Sequence, residues 1–314
     1  MALPFRQTPH TTRIKETALQ TPRIGMIGLG LMGLGIATNI VQKGFALTAM
    51  SHAGNQPLDD LLKAGATTAP TAQAVAQTSD IVILCVNGSA QVEAILAGDT
   101  GLLAGLRAGM TVIDCSTSIP ASTLQVSAQL QQLGVHFMDA AMTRTPNEAM
   151  QGRLNLLVGG EAALLETCRP LLSTFAENIV HAGPVGSGHR MKLLHNFVSL
   201  GSVTLLAEAA ACARRSGIDD AVFVEVLEKG GGWGAALERL KPYLLEGKTS
   251  GLRFSMGNAL KDLTYYGEMA HETGSHHAAA TALQGTLAAA CQAGDPQKLL
   301  PELVSQLSAG ALKA

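Results

Sequence analysis

Four polar side chains are spaced so that one helix would present them together. They fall at i, i+3, i+4 and i+7 of a segment otherwise rich in leucine and alanine: Lys192, His195, Asn196 and Ser199. Residues at these intervals share one helix face. A lysine is usually solvated, but Lys192 directly follows Gly186-Ser187-Gly188 at the junction between two domains, where clefts form. Burial and neighbouring cations would lower its pKa towards the range useful for proton transfer.

A glycine-rich turn near the start of the ordered pattern indicates a second kind of chemistry. Gly28-Leu29-Gly30-Leu31-Met32-Gly33 stands between a short apolar run, 24–27, and a helical pattern that extends to about residue 43. The first glycine permits the tight turn, the second lets backbone approach a pyrophosphate, and the third lets helix pack closely on strand. The helix N-terminus then faces the phosphates. This context favours dinucleotide binding by Gly28, Gly30, Leu31, Met32 and Gly33 over a merely structural turn.

The end of the second strand bears on which dinucleotide binds. Where an acidic residue would hold the ribose hydroxyls of NAD, the chain has Ser51 and His52. Nothing there would repel a 2′-phosphate, but no arginine is present to hold one firmly. We predict NADP or NAD as the cofactor, with NADP slightly favoured. A solvated turn with little influence on cofactor choice is the alternative.

The elements that must position these residues follow from periodicity. Short apolar runs alternate with helical stretches at 24–27, 46–50, 81–86, 111–114, 135–139, 155–158 and 179–182. This alternation predicts a parallel, doubly wound sheet in a Rossmann-type α/β domain over 23–184. Helical segments at about 189–216, 219–229, 234–246, 255–273 and 277–292 then predict an all-helical domain over 185–314. Residues 1–22 carry no periodic pattern and are predicted to be a flexible tail.

Composition excludes several function classes. A chain of 314 residues with 47% hydrophobic and 15% charged residues can bury a core that divides into about two domains. The net charge of −2 provides no basic field for a nucleic acid, and no apolar stretch is long and uninterrupted enough for a membrane span. Five scattered cysteines and no secretory signal predict a reducing, cytoplasmic location.

Three motifs together resemble the β-hydroxyacid dehydrogenase family. They are Gly28-Leu29-Gly30-x-Met32-Gly33, Ile113-Asp114-x-Ser116-Thr117-x-x-Pro120 and Gly186-x-Gly188-x-x-x-Lys192. The resemblance covers about residues 23–300 and implies a Rossmann domain followed by a helical domain built around a long interdomain helix. The family includes 3-hydroxyisobutyrate, tartronate semialdehyde and succinic semialdehyde reductases. It therefore implies hydride exchange between NAD(P) and a small anionic substrate.

The resemblance also implies roles for individual residues. Lys192 looks like the catalytic general acid and base, and Asn196 looks like the neighbour that orients the substrate. Thr117 with the preceding Ser116 is similar to the family motif that holds the nicotinamide side of the cofactor. Val86 ends the strand that passes the cofactor, and Lys261 resembles the second-domain lysine that closes over it. The remaining residues assigned to substrate binding on this helix are His195 and Ser199.

Departures from the family pattern bear on the substrate. Most members carry a Ser-Gly-Gly turn for a substrate carboxylate where this chain reads Thr143-Arg144-Thr145. Arginine at that turn resembles the branch of 3-sulfolactaldehyde and 4-hydroxybutyrate reductases, in which a cationic fork holds a sulfonate or carboxylate. We therefore assign all three residues to substrate binding, with a surface arginine as the alternative. His195 replaces the asparagine that usually precedes Asn196, which would reshape the pocket or add a titrating group.

The sequence thus predicts an NAD(P)-dependent oxidoreductase that interconverts a small anionic aldehyde and its hydroxy acid. A catalytically silent dinucleotide sensor, or a relative resembling imine reductases, remains the alternative. No metal is expected, because His271, His276 and His277 lack the spacing of a zinc site. Alanine-rich faces around 278–290 suggest contacts of a homodimer or homotetramer.

Overall fold

Strands and helices alternate through the first half of the chain. The computed structural model describes residues 21–310, so the predicted tail lies almost wholly outside the described residues. The strands are β1 (Ile24–Ile27), β2 (Leu47–Met50), β3 (Thr67–Ala69), β4 (Ile81–Leu84), β5 (Thr111–Asp114), β6 (His136–Thr143), β7 (Leu154–Gly159) and β8 (Ala176–Gly183). The helices between them are α1 (Leu31–Gln42), α2 (Asp59–Lys63), α3 (Ala72–Gln77), α4 (Ser89–Leu96), α5 (Pro120–Gln132), α6 (Pro146–Met150) and α7 (Ala162–Leu172).

The strands form one sheet in the order β3-β2-β1-β4-β5-β6-β7-β8. The strand order reverses next to β1, which gives the predicted doubly wound α/β fold. The expectation of an entirely parallel sheet was wrong at one place, because β6 and β7 pair antiparallel. Only ten residues connect Thr143 to Leu154, and a parallel crossover needs a dozen or more. β3 and α3 lie in a segment for which the sequence predicted no element.

The second half of the described chain is helical, as predicted. Its α-helices are α8 (Ser187–Arg215), α9 (Asp220–Glu228), α10 (Ala235–Glu246), α11 (Met256–Glu272), α12 (Ala278–Ala293) and α13 (Leu303–Ser308). α13 was not predicted, because six residues carry too little periodicity. α8 is the long helix, and it packs against β6, β7 and β8 as well as α10, α11, α12 and α13.

Hydrophobic cores lie on both faces of the sheet and within the helical half. On β4, Ile83 belongs to one core and Val82 and Leu84 to the other, because successive strand residues point to opposite faces. A further core joins buried residues of α8, such as Val203, to α10, α11 and α12. The sheet is therefore covered on both sides, and α8 is held by both halves.

A buried carboxylate fixes the start of α8 to the sheet. The two oxygens of Asp139, in β6, accept the backbone N–H groups of Gly186 at 2.6 Å and His189 at 2.8 Å. A Cβ at Gly188 would overlap the carbonyl oxygen of Leu157 in β7. Because these contacts set the position of the first turn of α8, they also set the position of Lys192 one turn later.

Candidate active site

A cavity of about 420 Å³ lies between the sheet and the helical half. The sheet side contributes the glycine turn after β1 and the residues that follow β4, β5 and β6. The helical side contributes Lys192 from α8, the segment Leu252–Phe254, and Asn258, Lys261 and Asp262 from α11. Ligands of doubly wound folds bind beyond the carboxyl ends of the strands, where this cavity lies.

The glycine turn has the shape of a dinucleotide-binding turn. Gly28 has φ +93°, and a Cβ there would overlap the carbonyl oxygen of Cys85. A Cβ at Gly33 would overlap the carbonyl oxygen of Gly28, so the third glycine holds α1 close to β1. Nothing lies within 4 Å of the Cβ position of Gly30. The open side of Gly30 and the N-terminus of α1 fit a pyrophosphate.

The loop after β2 has an exposed tip, and hydrogen bonds of Asn55 fix its base. Ser51 and His52 are exposed, and His52 Nδ1 accepts the backbone N–H of Gly54 at 3.0 Å. Asn55 Nδ2 donates to the carbonyl of Met50 at 2.9 Å, and Asn55 Oδ1 accepts the backbone N–H of Leu29 at 3.3 Å. No carboxylate of the described residues pairs with this tip. The predicted contacts of Ser51 and His52 with a cofactor stay predictions.

Hydrogen bonds couple the loops after β4 and β5. The Ser116 hydroxyl accepts the backbone N–H of Val86 at 3.1 Å, while Ser116 N–H donates to the buried Asp114 carboxylate at 2.9 Å. Thr117 is half-buried and lines the cavity. The Ser116 hydroxyl therefore has a structural partner already, although Ser116 also lines the cavity.

Lys192 lines the same cavity as the glycine turn and the loops after β4 and β5. Burial lowers the pKa of its ammonium to about 8. The carboxylate of Asp262 opposes this shift, and the positive charges of Lys261 and Arg239 add to it. A lysine with a pKa close to neutral exchanges a proton readily, which is what a general acid and base requires.

A polar network surrounds Lys192 on α8 and α11. Asn196 is buried; its Nδ2 donates to Asp262 Oδ2 at 2.6 Å, and its Oδ1 faces His195 Nδ1 at 2.9 Å. Asp262 Oδ1 lies 3.0 Å from Lys261 Nζ in an ion pair without an aligned hydrogen bond. Lys261 Nζ also donates to the Asn87 carbonyl, across the cavity. Burial lowers the pKa of His195, as do the nearby cations, against the hydrogen bond to Asn196.

The three residues predicted to bind substrate at the end of β6 have different surroundings. Thr143 is buried, and its hydroxyl accepts from Asn155 Nδ2 at 3.0 Å, away from the cavity lining. Thr145 lines the cavity and caps α6. Arg144 also lines the cavity, but its guanidinium pairs with Glu177 and donates to the Arg153 carbonyl. With φ +82°, it is the only non-glycine residue of the described chain with positive φ.

The cavity brings together eleven of the predicted site residues: Gly30, Leu31, Met32, Gly33, Val86, Ser116, Thr117, Arg144, Thr145, Lys192 and Lys261. The other predicted residues do not line it: Gly28, Ser51, His52, Thr143, His195, Asn196 and Ser199.

Sequence reasoning missed Asp262, Phe254, Asn258 and Asn87 as cavity residues. The signal for Asp262 was its place directly after Lys261, on a helix whose other inward residues are apolar. Residues 21–310 contain no group of three potential metal ligands.

Comparison with known proteins matches both halves of the chain. Residues 23–183 match the family model described as the NAD binding domain of 6-phosphogluconate dehydrogenase. Residues 186–305 match the model described as NAD-binding of NADP-dependent 3-hydroxyisobutyrate dehydrogenase.

Individual relatives agree with these family models. An NAD-dependent L-serine dehydrogenase of Pseudomonas aeruginosa is 34% identical over 70% of this chain and 74% of its own length. A 3-sulfolactaldehyde reductase of Escherichia coli is 33% identical over 65% of this chain and 68% of its own. The fold is also that of a 3-hydroxyisobutyrate dehydrogenase from Salmonella typhimurium, with a TM-score of 0.79 at 24% identity over 90% of this chain and 99% of that one.

Proposed function

Because this chain belongs to the β-hydroxyacid dehydrogenase family, an NAD(P)-dependent oxidoreductase family acting on CH–OH groups, we propose that it interconverts a small anionic aldehyde and its hydroxy acid. Lys192 is the general acid and base. The observation that carries the proposal is that this lysine, whose pKa is lowered to about 8, lines the same cavity as the glycine turn. A semialdehyde or a sulfolactaldehyde-type compound is the substrate class.

In this proposal the cofactor and Lys192 have separate tasks. The glycine turn and the loops after β4 and β5 would hold a nicotinamide cofactor, which when bound would supply the hydride for the carbonyl carbon. Lys192 Nζ donates the proton to the carbonyl oxygen, and it accepts that proton again when the hydroxy acid is oxidised. The 2.6 Å hydrogen bond from the Asn196 amide to the Asp262 carboxylate joins α8 to α11 one turn after Lys192. It fixes the part of α8 that carries this lysine. Holding donor and carbonyl in one geometry removes much of the entropic barrier.

The cofactor proposal rests on the loop after β2. Ser51 and His52 leave that loop without a negative charge, so NADP fits at least as well as NAD. A dinucleotide sensor without turnover is the second candidate. The buried network around Lys192 favours the enzyme, because a sensor has no need of a lysine with a lowered pKa.

The experiment is a turnover assay of Lys192→Ala over a panel of semialdehydes and sulfolactaldehyde. We expect kcat to fall about 10²-fold or more, because general acid–base catalysis contributes that much. Cofactor affinity, measured by fluorescence titration, should change little, and Lys192→Arg serves as the variant that keeps the charge without an acid of suitable pKa. Activity of Lys192→Ala within a few-fold of wild type would exclude this lysine as the acid and base. A wild-type protein that binds NADPH but reduces no carbonyl on the panel would favour the sensor.

The remaining proposals concern the state of the protein in the cell. We propose a homodimer or homotetramer in the cytoplasm, acting on a small molecule without nucleic acid or membrane. α8 is the one described helix long and apolar enough to cross a membrane by composition, with a mean hydropathy of 1.4. Half of its most apolar window is buried within the protein, as is usual for a core helix.

A further inference from the structure

His189, in the first turn of α8, is a fully buried histidine that lies between two buried carboxylates. Its Nε2 is 3.8 Å from Oδ2 of Asp114, at the end of β5, and its Nδ1 is 3.9 Å from Oδ2 of Asp139, in β6. No lysine or arginine within residues 21–310 pairs with either carboxylate. Among the described side chains, His189 is therefore the one placed to pair a positive charge with these acids.

Hydrogen bonds around the ring indicate where its protons lie. The Thr123 hydroxyl, in α5, donates to the carbonyl of Ile119 at 3.1 Å, so its oxygen accepts from His189 Nδ1 at 2.7 Å. Nε2 is buried and has no hydrogen-bond partner. As a bare acceptor it would face the negative Asp114 carboxylate, whereas a proton on Nε2 makes the contact attractive. Two buried carboxylates without a cation are unfavourable, so these surroundings favour the imidazolium.

The same cluster joins two parts of the cavity. Asp114 also accepts the backbone N–H of Ser116 at 2.9 Å, and Ser116 and Thr117 line the cavity. Lys192 follows His189 at i+3 on α8, so the two residues lie on neighbouring turns of one helix face. His189 thus contacts the carboxylate that shapes the loop after β5 and belongs to the helix turn that leads to Lys192.

We propose that His189 is a positioning residue that sets the distance between Lys192 and the loop after β5. It does so as an imidazolium paired with the carboxylates of Asp114 and Asp139. His189 does not line the cavity, so it acts through these two elements. The consequence for turnover rests on the proposed function, whereas the link between the loop and α8 does not. A misplacement of about 1 Å far from the reacting atoms lowers turnover about 10²-fold.

Two uncharged variants separate the two ring nitrogens. By side-chain length, the amide of His189→Asn lies near the Nδ1 position, towards Thr123, and that of His189→Gln near the Nε2 position, towards Asp114. We expect kcat on the aldehyde panel to fall about 30- to 100-fold in His189→Asn and about three- to tenfold in His189→Gln, which keeps an N–H towards the carboxylate. KM should change less than about threefold, because the substrate contacts stay. His136→Gln, an exposed histidine at the start of β6, is the control and should retain wild-type turnover.

A second readout needs no turnover. The loop after β5 is assigned to the nicotinamide end of the cofactor, which NADPH has and 2′-phospho-ADP-ribose lacks. Calorimetric titration should show that His189→Asn weakens NADPH binding about three- to tenfold and 2′-phospho-ADP-ribose binding less than about twofold. Equal weakening of both ligands is the result of a general loss of structure and overturns the inference.

The charge on the ring is measured directly. Nitrogen-15 spectra of histidine-labelled wild type at pH 7 should show protons on both ring nitrogens of the resonance that disappears in His189→Gln. A ring with a single proton, or wild-type kcat in both variants, overturns the inference. If wild type reduces no aldehyde while the imidazolium resonance and the selective loss of NADPH affinity remain, the positioning contact stands and the proposed function fails.

Discussion

The ionisation of Lys192 predicts opposite pH profiles for the two reaction directions. Its pKa is lowered by burial to about 8, so below that pH the ammonium is present and above it the free amine. Reduction needs the ammonium as proton donor, so kcat/KM for aldehyde reduction should fall as pH rises through about 8. Oxidation of the hydroxy acid needs the free amine and should rise over the same range. Steady-state rates between pH 6 and 10 in both directions check this, and parallel profiles would contradict it.

Arg144 combines an unfavourable backbone conformation with a charged partner. At φ +82° a side chain costs on the order of 1 kcal/mol relative to glycine, and the partly exposed Glu177 pair contributes about 0–1 kcal/mol. We expect Arg144→Gly to change the melting temperature little, because the two effects offset each other.

The same residue gives a prediction for substrate binding. If Arg144 contacts the substrate's anion as the sequence predicts, Arg144→Gly raises KM for the anionic aldehyde and Glu177→Gln lowers it, because the guanidinium is then free. We expect about a three- to tenfold change in each direction, because the Arg144 guanidinium is already paired with Glu177. Uncharged aldehydes serve as the comparison in the same assay. Unchanged KM values in both variants would place Arg144 in loop support alone.

The sequence identified individual residues better than their partners. Lys192 and Lys261 were recognisable from motif spacing, and both line the cavity. The Arg144–Glu177 pair joins residues 33 positions apart, and the Asn196–Asp262 hydrogen bond joins residues 66 apart. No local pattern carries such contacts, since they depend on which strands and helices become neighbours.

At the scale of elements, strongly patterned segments were predictable and short ones were not. β1 and β5 have the predicted bounds, and α8 begins and ends within two residues of its prediction. β3 has three residues, of which two are exposed, so it shows neither an apolar run nor a clear alternation. The antiparallel direction of β7 follows from the short connection between β6 and β7. Hydrophobic periodicity does not indicate strand direction, whereas the length of the connection does.

The loop after β2 predicts how cofactor preference can be changed. Ser51 N–H donates to the Ala69 carbonyl at 2.9 Å, so the backbone is fixed by β3 while the side chain is exposed. Ser51→Asp would place a carboxylate where it repels a 2′-phosphate and accepts the ribose hydroxyls. We expect the ratio of kcat/KM for NADPH to NADH to fall at least about tenfold. Ser51→Asn is the uncharged control, and a wild-type enzyme strongly selective for NADH would contradict the prediction.

On the scale of the whole molecule, α8 leaves an apolar surface uncovered. Its exposed side chains include Met191, Leu194, Val198 and Leu205, which recur at intervals of three, four and seven residues and so form one stripe. Val198 is 66% exposed and Leu205 59%. The sequence placed oligomer contacts at 278–290 on α12, where Ala278, Ala279 and Ala282 are indeed exposed but small. The larger side chains on α8 provide more apolar area for a second copy of the chain.

This stripe predicts that negative charges introduced on α8 dissociate the oligomer. We expect the wild type to elute as a dimer or tetramer at micromolar concentration, and the double variant Val198→Glu with Leu205→Glu as a monomer, because each carboxylate would be desolvated in the contact. Leu133→Glu, at a similarly exposed apolar position after α5, is the control and should keep the wild-type mass. Light scattering coupled to size-exclusion chromatography measures the mass directly, and NADPH binding verifies that each variant is folded. A monomeric wild type, or a double variant of unchanged mass, would place the contact elsewhere on the molecule.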